Sequence, residues 1–205
     1  MTIELYLTFV LATALLIAIP GPNVALIVAN SVAHGRRIGL ITVAGTSAAM
    51  IPQLVLTMAG MTGALVLFSH LFEWLRWIGV VYLVYLGVQA IRAQPIDLMK
   101  VRPEPRSPRE IFLRGFLVSL TNPKTLLFYG AFFPQFIEPS VNIAKQLWLL
   151  SGTFLAIAVV MDACWALVGG RLRGLLAVRG VLRNRLTGGF YFAAALGLAT
   201  ARRGQ

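Results

Sequence analysis

The chain has 205 residues, of which 58% are hydrophobic and 12% are charged, and its mean hydropathy is +0.80. Apolar runs recur along its whole length, which is typical of an all-α polytopic membrane protein and argues against a soluble two-layer domain. The formal net charge of +11 could suit nucleic acid, but the basic residues lie between apolar runs and not in a separate polar domain. The single cysteine, Cys164, excludes an intramolecular disulfide and a zinc site with several thiolates. We therefore expect no nucleic-acid partner, no metal and no cofactor.

The first uncharged run extends from Leu5 to Ala33 and contains the sequence Pro20-Gly21-Pro22-Asn23. Its 29 residues can cross a hydrocarbon core of about 30 Å at a rise of about 1.5 Å per residue. Prolines lack an amide donor and clash with the preceding turn, so a helix should break here. In hydrocarbon, such a break is tolerated only beside protein or a water-filled cavity, since unpaired backbone groups are costly there. The sequence therefore predicts a cavity at this break.

Further apolar runs bring the predicted count to six transmembrane helices. We predict spans at about 5–29, 39–67, 74–91, 112–136, 147–169 and 186–201. Residues 94–110 contain four prolines among charged residues and predict a polar cytoplasmic linker between two halves, 1–93 and 111–205. The start, Met1-Thr2-Ile3-Glu4, lacks the basic residues of a secretory signal, so we expect this segment to be retained.

Lysine and arginine are distributed unequally between the loops on the two sides of the membrane. Of the 18 basic residues, 13 fall in alternate loops on one side: Arg36, Arg37, Arg92, Lys100, Arg102, Arg106, Arg109, Arg114, Arg171, Arg173, Arg179, Arg183 and Arg185. The other side has four, namely Arg76, Lys145, Arg202 and Arg203. By the positive-inside rule the 13 face the cytoplasm and both termini lie outside.

The two halves also align with each other around their prolines. Pro22 falls on Pro123 and Asn23 on Lys124 at an offset of 101 residues, and Gly45 falls on Gly152 at an offset of 107. Three spans per half would make the second copy inverted, with broken helices 1 and 4 at matching positions. Such a pair of broken helices points to the midplane site of a transporter. Chance similarity between apolar helices is the alternative.

Two charged side chains lie deep inside predicted spans. Lys124 follows Arg114 by ten residues, which places it about 15 Å deep, where a lysine costs about 2.5 to 3.5 kcal/mol. A substrate carboxylate in a water-lined cavity would offset this cost; snorkelling or a fixed ion pair would do so as well. Asp162 is the only carboxylate well inside a span. Desolvation favours its neutral form and a nearby lysine its charged form, so Asp162 is either a proton carrier or one half of a static pair with Lys124.

The polar residues near the two breaks complete the predicted site. Asn23, Asn122 and Gln53 can hydrogen-bond the head group of an amino acid, or they can close the broken backbone. The predicted substrate site therefore comprises Pro20, Gly21, Pro22, Asn23, Gln53, Asn122, Pro123 and Lys124, with Asp162 for proton coupling and no catalytic or metal-binding residue. The aromatic residues Phe128, Tyr129, Phe132 and Phe133 are expected to face lipid and core.

Four stretches together resemble the lysine exporter (LysE) superfamily over nearly the whole chain, specifically amino-acid exporters of the homoserine/threonine (RhtB) type. They are Pro20-Gly21-Pro22-Asn23, residues 77–87, Asn122-Pro123-Lys124 with residues 132–136, and residues 185–189. The resemblance implies six spans in the bacterial inner membrane, a small amino acid or related metabolite as substrate, and a proton as coupling ion. A homo-oligomer is left open.

The resemblance has one departure. Many relatives have a Gly-Asp pair where this chain reads Ala49-Met50, so any role of that acid is missing or is transferred to Asp162. A cationic substrate would need more buried acid than one aspartate beside one lysine, and we therefore favour a neutral amino acid. A non-transporting structural or assembly membrane protein is the alternative function. An intramembrane enzyme fits less well, because the sequence shows no carboxylate pair and no nucleophile with a nearby base.

Overall fold

The computed structural model describes residues 1–19, 21–67, 77, 80–81, 84–85, 87–89, 91–92, 107–138, 141–178, 185, 188–189, 192–193, 195–196 and 199. Within these residues the chain is helical and contains no strand. The helices are α1 (Ile3–Ala18), α2 (Pro22–His34), α3 (Arg36–Leu67), α4 (Pro108–Leu120), α5 (Pro123–Leu127) and α6 (Ile143–Val178). A π-helical turn (Phe128–Phe132) and a 3-10 turn (Phe133–Phe136) follow α5. Half of the predicted span 74–91, and most of the span 186–201 and of the linker 94–110, lies outside the described residues.

The helices that could cross a membrane agree with three predicted spans. Helix α3 is long and apolar enough over Arg36–Met61, and α6 is so over Ile143–Gly169. Together, α1 and α2 meet the same criterion as one span bent by 52°. The predicted fourth span is also interrupted, because α4 ends at Leu120 and α5 begins at Pro123. The breaks predicted in helices 1 and 4 are therefore present, while the count of six spans stays a prediction.

Apolar side chains cover all sides of α1, not one stripe. Leu7, Leu11 and Leu15 are 57%, 61% and 49% exposed, and their four-residue spacing places them on one face. Phe9 and Leu16 on the opposite face are 0% and 5% exposed. A helix that buries one apolar face and exposes another is expected in a hydrocarbon environment.

Local sequence signals explain where two of the helices begin and end. Helix α4 starts with a capping box, in which the Ser107 hydroxyl accepts from the amide of Glu110 and the Glu110 carboxylate accepts from the amide of Ser107. Helix α2 ends at His34 because Gly35 adopts a φ of 86°, which favours glycine. The loop at Gly35 turns the chain directly into α3.

Glycines allow the closest helix crossings. A Cβ on Gly45 of α3 would overlap the carbonyl of Phe112, and a Cβ on Gly115 of α4 would lie 2.9 Å from the carbonyl oxygen of Thr42. Helix α3 also packs against α6, and α6 packs against α1 and α2. These crossings bring α2, α4 and α5 next to each other at the centre of the described bundle.

Candidate functional site

The first helix break separates α1 from α2. Helix α2 has a proline, Pro22, at its start, and its N-cap residue Gly21 supplies no side-chain hydrogen bond. The carbonyl oxygen of Ile19 accepts a hydrogen bond of 2.6 Å from the ammonium group (Nζ) of Lys124. Pro20 lies outside the described residues. The exposed carbonyl at the first break is therefore satisfied by a lysine from the second half of the chain.

The second break separates α4 from α5 and is closed differently. Asn122 caps α5, since its Oδ1 accepts from the amide of Lys124 at 3.0 Å. Pro123 has no amide to offer the preceding turn. The Nε2 of Gln53, on α3, instead donates to the carbonyl oxygens of Ser119 and Leu120, both at 3.0 Å. Of the two roles predicted for Gln53, the structure therefore places it in the backbone-closing one.

Two asparagines join the breaks directly. The Nδ2 of Asn122 donates to Oδ1 of Asn23 at 3.0 Å, and Nδ2 of Asn23 donates to the hydroxyl of Ser119 at 3.1 Å. All three side chains are buried. Buried amides with their partners satisfied hold neighbouring segments in one register. The two breaks therefore lie side by side.

A small, partly open cavity, whose enclosed part has room for about one water molecule, lies next to both breaks. Its wall is formed by Leu16, Ile17, Gly21, Asn23, Val24, Met50, Asn122, Lys124, Thr125, Phe154 and Asp162. Five of the predicted site residues thus come together, namely Gly21, Asn23, Asn122, Lys124 and Asp162. Pro22 and Gln53 are not part of this wall, and the side chain of Pro123 is not described.

The two charged side chains face the same cavity without pairing. Lys124 is 7% and Asp162 is 2% exposed. Within the described residues no ion pair joins them, although their opposite charges act on each other. No group of the described residues donates a hydrogen bond to the carboxylate of Asp162. Lys124 uses one of its three donors on Ile19, so both charged groups can still bind a ligand.

Gly21 provides the space that the lysine side chain occupies. A Cβ added to Gly21 would lie 3.2 Å from Cδ and 3.6 Å from Nζ of Lys124. A contact of 3.2 Å is tighter than most carbon–carbon contacts, so any larger residue would push the lysine aside. The glycine of the first break therefore positions the cation from the second.

The apolar part of the cavity wall was not predicted from the sequence. Leu16, Val24, Met50 and Phe154 line the cavity together with the polar groups. Helical periodicity could have identified one of them, since Phe154 precedes Asp162 by eight residues, or about two turns, on the same helix face. Periodicity offers no such link for Met50, because α3 is brought to the cavity by its packing against other helices.

The chain is similar to several known proteins. Residues 14–201 match the family model described as LysE type translocator. A homoserine/homoserine lactone efflux protein of Salmonella typhimurium is 30% identical, over 98% of this chain and 99% of the relative. A leucine efflux protein of the same organism is 30% identical, over 84% and 91% of the two chains. An uncharacterized membrane protein of Vibrio cholerae is 31% identical, over 98% and 100%. No solved structure matches the chain.

Proposed function

Since the chain belongs to the LysE type translocator family, whose members are transporters and not enzymes, we propose that it exports a small neutral amino acid through this cavity. It is a multi-pass membrane protein, and the proposed location is the bacterial inner membrane with the basic loops in the cytoplasm. Two of the similar proteins are named for the efflux of leucine or of homoserine and its lactone, which are all small amino acids or derivatives. These names support an amino-acid cargo for this chain.

One observation carries the proposed binding mode: Lys124 and Asp162 face one cavity and are not paired with each other. We infer that the lysine binds the carboxylate of the cargo and the aspartate its amino group. One cation and one anion match the charges of a zwitterion, whereas a cationic cargo would leave a buried charge without a partner. The apolar wall formed by Leu16, Val24, Met50 and Phe154 would contact the side chain of the cargo.

Cargo binding would also change the first break. Lys124 cannot give its full set of donors to a cargo carboxylate while it is directed at the carbonyl of Ile19. If the cargo attracts the lysine away, that carbonyl loses its partner, and an unpaired buried acceptor costs about 1 to 3 kcal/mol. Occupancy of the cavity is therefore coupled to the geometry of the break between α1 and α2.

We propose that Asp162 couples export to the proton gradient. A carboxylate that is almost completely buried gains from being neutralised, either by a proton or by the amino group of the cargo. The two would compete for the same group, so a proton entering from outside would release the amino acid there. Proton and cargo would then move in opposite directions.

The helix contacts support two related halves, which we propose to be inverted. Helix α3, in the first half, packs against α4 of the second half, and α6, in the second half, packs against α1 and α2 of the first. Reciprocal contacts of this kind are expected when two halves are related by a twofold axis. Described residues of the two third spans also meet, since a Cβ on Gly188 would lie 2.9 Å from the carbonyl oxygen of Gly87. The halves would rock against each other about the cavity.

Efflux from proteoliposomes tests this proposal. Labelled leucine and homoserine are loaded, a proton gradient is applied, and wild type is compared with Lys124→Met and Asp162→Asn. We expect gradient-dependent efflux in wild type and its loss in both variants, with insertion and monodispersity retained. The exposed residues Lys145 and Glu4 provide the controls, Lys145→Met and Glu4→Gln, which should transport normally.

Two results would contradict the proposal. Undiminished efflux from both cavity variants would show that transport does not need these two side chains. A wild-type protein that moves no amino acid in a broad panel would instead favour the structural or assembly role.

Exchange of internal for external amino acid, measured without a gradient, separates the two roles of Asp162. A pure proton carrier keeps exchange in Asp162→Asn, and a ligand for the amino group loses it.

A further inference from the structure

A cluster of aromatic side chains fills the bundle on one side of the cavity. The ring centroid of Phe9 lies 6.1 Å from that of Phe128, 5.4 Å from Phe133 and 5.2 Å from Phe136. Phe154 of the cavity wall joins this cluster, with its centroid 4.9 Å from that of Tyr129. These rings, Phe9, Phe128, Tyr129, Phe133, Phe136 and Phe154, are called the aromatic layer below. The layer separates the cavity from the bundle end at which α1 and α6 begin.

Hydrogen bonds define that end of the bundle. The Tyr6 hydroxyl lies 3.0 Å from the Thr153 hydroxyl, which sets the start of α1 level with the early turns of α6. Gln146 binds both the amide and the carbonyl of Glu138 at 2.9 Å, and so fastens the chain after the 3-10 turn to α6. Among the described residues, the aromatic layer thus lies between this end and the cavity.

Three hydroxyl groups are buried around the layer without a hydrogen-bond partner. They belong to Thr13, Tyr129 and Ser151, which are 0%, 1% and 5% exposed. Each lies about one helical turn from a residue of the cavity wall, and Tyr129 belongs to the aromatic layer itself. Thr13 precedes Ile17 by four residues, Tyr129 follows Thr125 by four, and Ser151 precedes Phe154 by three.

These hydroxyls, like those of Ser31 and Ser47, differ from most helical hydroxyls of the described residues. Threonines in a helix commonly bond the carbonyl four residues earlier, as Thr8 does to Glu4 and Thr57 does to Gln53, both at 2.8 Å. Thr13 and Ser151 lie in helices and make no such bond in the described structure. An unpartnered buried hydroxyl costs about 1 to 3 kcal/mol. This cost would be offset if the three hydroxyls form hydrogen bonds in another conformation of the protein.

We propose that the aromatic layer is the closed exit of the transport path, and that the hydroxyls of Thr13, Tyr129 and Ser151 line this path when it opens. In the open state they would bind water and the polar head group of the zwitterionic cargo. This inference rests on the proposed function and extends it, because it assigns a route from the cavity to one end of the bundle. The path follows the surfaces of α1, α6 and the turns after α5.

The backbone after α5 is suited to such an opening. Phe128 and Tyr129 begin a π-helical turn, Phe128–Phe132, and π-helical segments often occur at functional sites. Gly130 in this turn has no atom within 4 Å of the position that a Cβ would occupy. The turn can therefore change its geometry without a clash at that glycine, and it would carry Tyr129 and Phe128 away from Phe154.

Cysteine accessibility tests the exit path. The native cysteine, which is exposed, is first removed with Cys164→Ser. T13C and S151C are then introduced singly and reconstituted. A membrane-impermeant methanethiosulfonate is added separately to each face, with and without a leucine gradient. We expect slow modification at rest and at least a tenfold faster reaction during transport, only from the face at which α1 and α6 begin.

A matched control for S151C lies on the same helix, α6, at a buried site away from the aromatic layer. Ala166 is 0% exposed and packs with Ile27 and Val43, so A166C should remain unreactive under all conditions. Equal reaction rates with and without cargo in actively transporting T13C and S151C would overturn the proposal. Modification from the opposite face would do so as well, because the path would then lead elsewhere.

A second variant keeps the test decisive if no amino acid is transported. Phe133 is completely buried and its ring contacts those of Phe9 and Tyr129. Phe133→Ala should open the layer and speed the modification of T13C and S151C without any cargo. A wild-type protein without flux, combined with this result, would refute amino-acid export but support the path. Unchanged protection in Phe133→Ala would refute the path itself.

Discussion

The two helix breaks begin in the same way and are closed in opposite ways. In both, a proline follows the N-cap of the next helix. The second break supplies its own cap through Asn122, and Gln53 from α3 donates to the carbonyls of Ser119 and Leu120. The first break has no side-chain cap, and the carbonyl of Ile19 depends on the charged group of Lys124. Neutral side chains thus close one break, and the cation of the proposed binding site closes the other.

This difference assigns separate tasks to the two breaks. A ligand that attracts Lys124 would release the first break and leave the second intact, because the bonds of Gln53 do not involve the cavity. The second break would then be a fixed support and the first a moving part. Variants at each break should therefore separate stability from transport.

The largest effect is expected for Gln53→Leu. The change removes the side-chain donor of the Leu120 carbonyl, while the Ser119 carbonyl keeps the amide of Asn122, and it should lower the free energy of unfolding by about 1 to 3 kcal/mol. Unfolding by SDS in mixed micelles measures this. Gln89→Leu, at an exposed glutamine, is the matched control and should change little. Unchanged stability in Gln53→Leu would mean that the second break needs no support from α3.

Replacement of Asn122 separates the cap from the link between the breaks. Asn122→Ala removes both and should cost about 0.5 to 2 kcal/mol of stability. Asn122→Ser can still cap α5 but cannot donate to Asn23, so the difference between the two variants reports the cap. The same SDS titration applies. If serine were as damaging as alanine, the cap would contribute nothing measurable.

At the first break, Gly21→Ser should impair transport with little change in stability. Serine is a good N-cap residue, but its Cβ would lie 3.2 Å from Cδ of Lys124 and displace the ammonium group. We expect a loss of efflux of about tenfold, equivalent to about 1.4 kcal/mol. Gly152→Ser, at an exposed helical glycine with free space, is the control. Normal efflux from Gly21→Ser would show that the position of the lysine is not critical.

The smallest effect is expected for Thr121→Val at the second break. The Thr121 hydroxyl donates to the carbonyl of Leu117 at 2.9 Å, but the residue is exposed and the bond is local. Valine preserves the shape of the side chain, so the free energy of unfolding should stay within about 0.5 kcal/mol of wild type. A loss as large as that of Gln53→Leu would mean that local bonds, and not α3, close this break.

Much of the fold followed from local chemistry. Uncharged runs of sufficient length predicted membrane helices, and three of them coincide with α1–α2, α3 and α6. The prolines located both breaks, because a missing amide acts on the turn that precedes it, wherever the helix packs. The aromatic residues Phe128, Tyr129 and Phe133, expected to face lipid and core, are buried in the core.

The positions of Lys124 and Asp162 within their apolar runs also predicted that both side chains lie deep in the membrane. Because a charge in hydrocarbon is costly in any fold, both groups were expected to need a partner or a cavity. Which atoms satisfy these groups was decided only by the tertiary structure. A free carbonyl at a break bonds whichever donor the helix crossings bring within about 3 Å, and crossings join residues far apart in the chain. The same crossings placed Gln53 on the second break, Met50 and Phe154 on the cavity wall, and three unpartnered hydroxyls beside the aromatic layer.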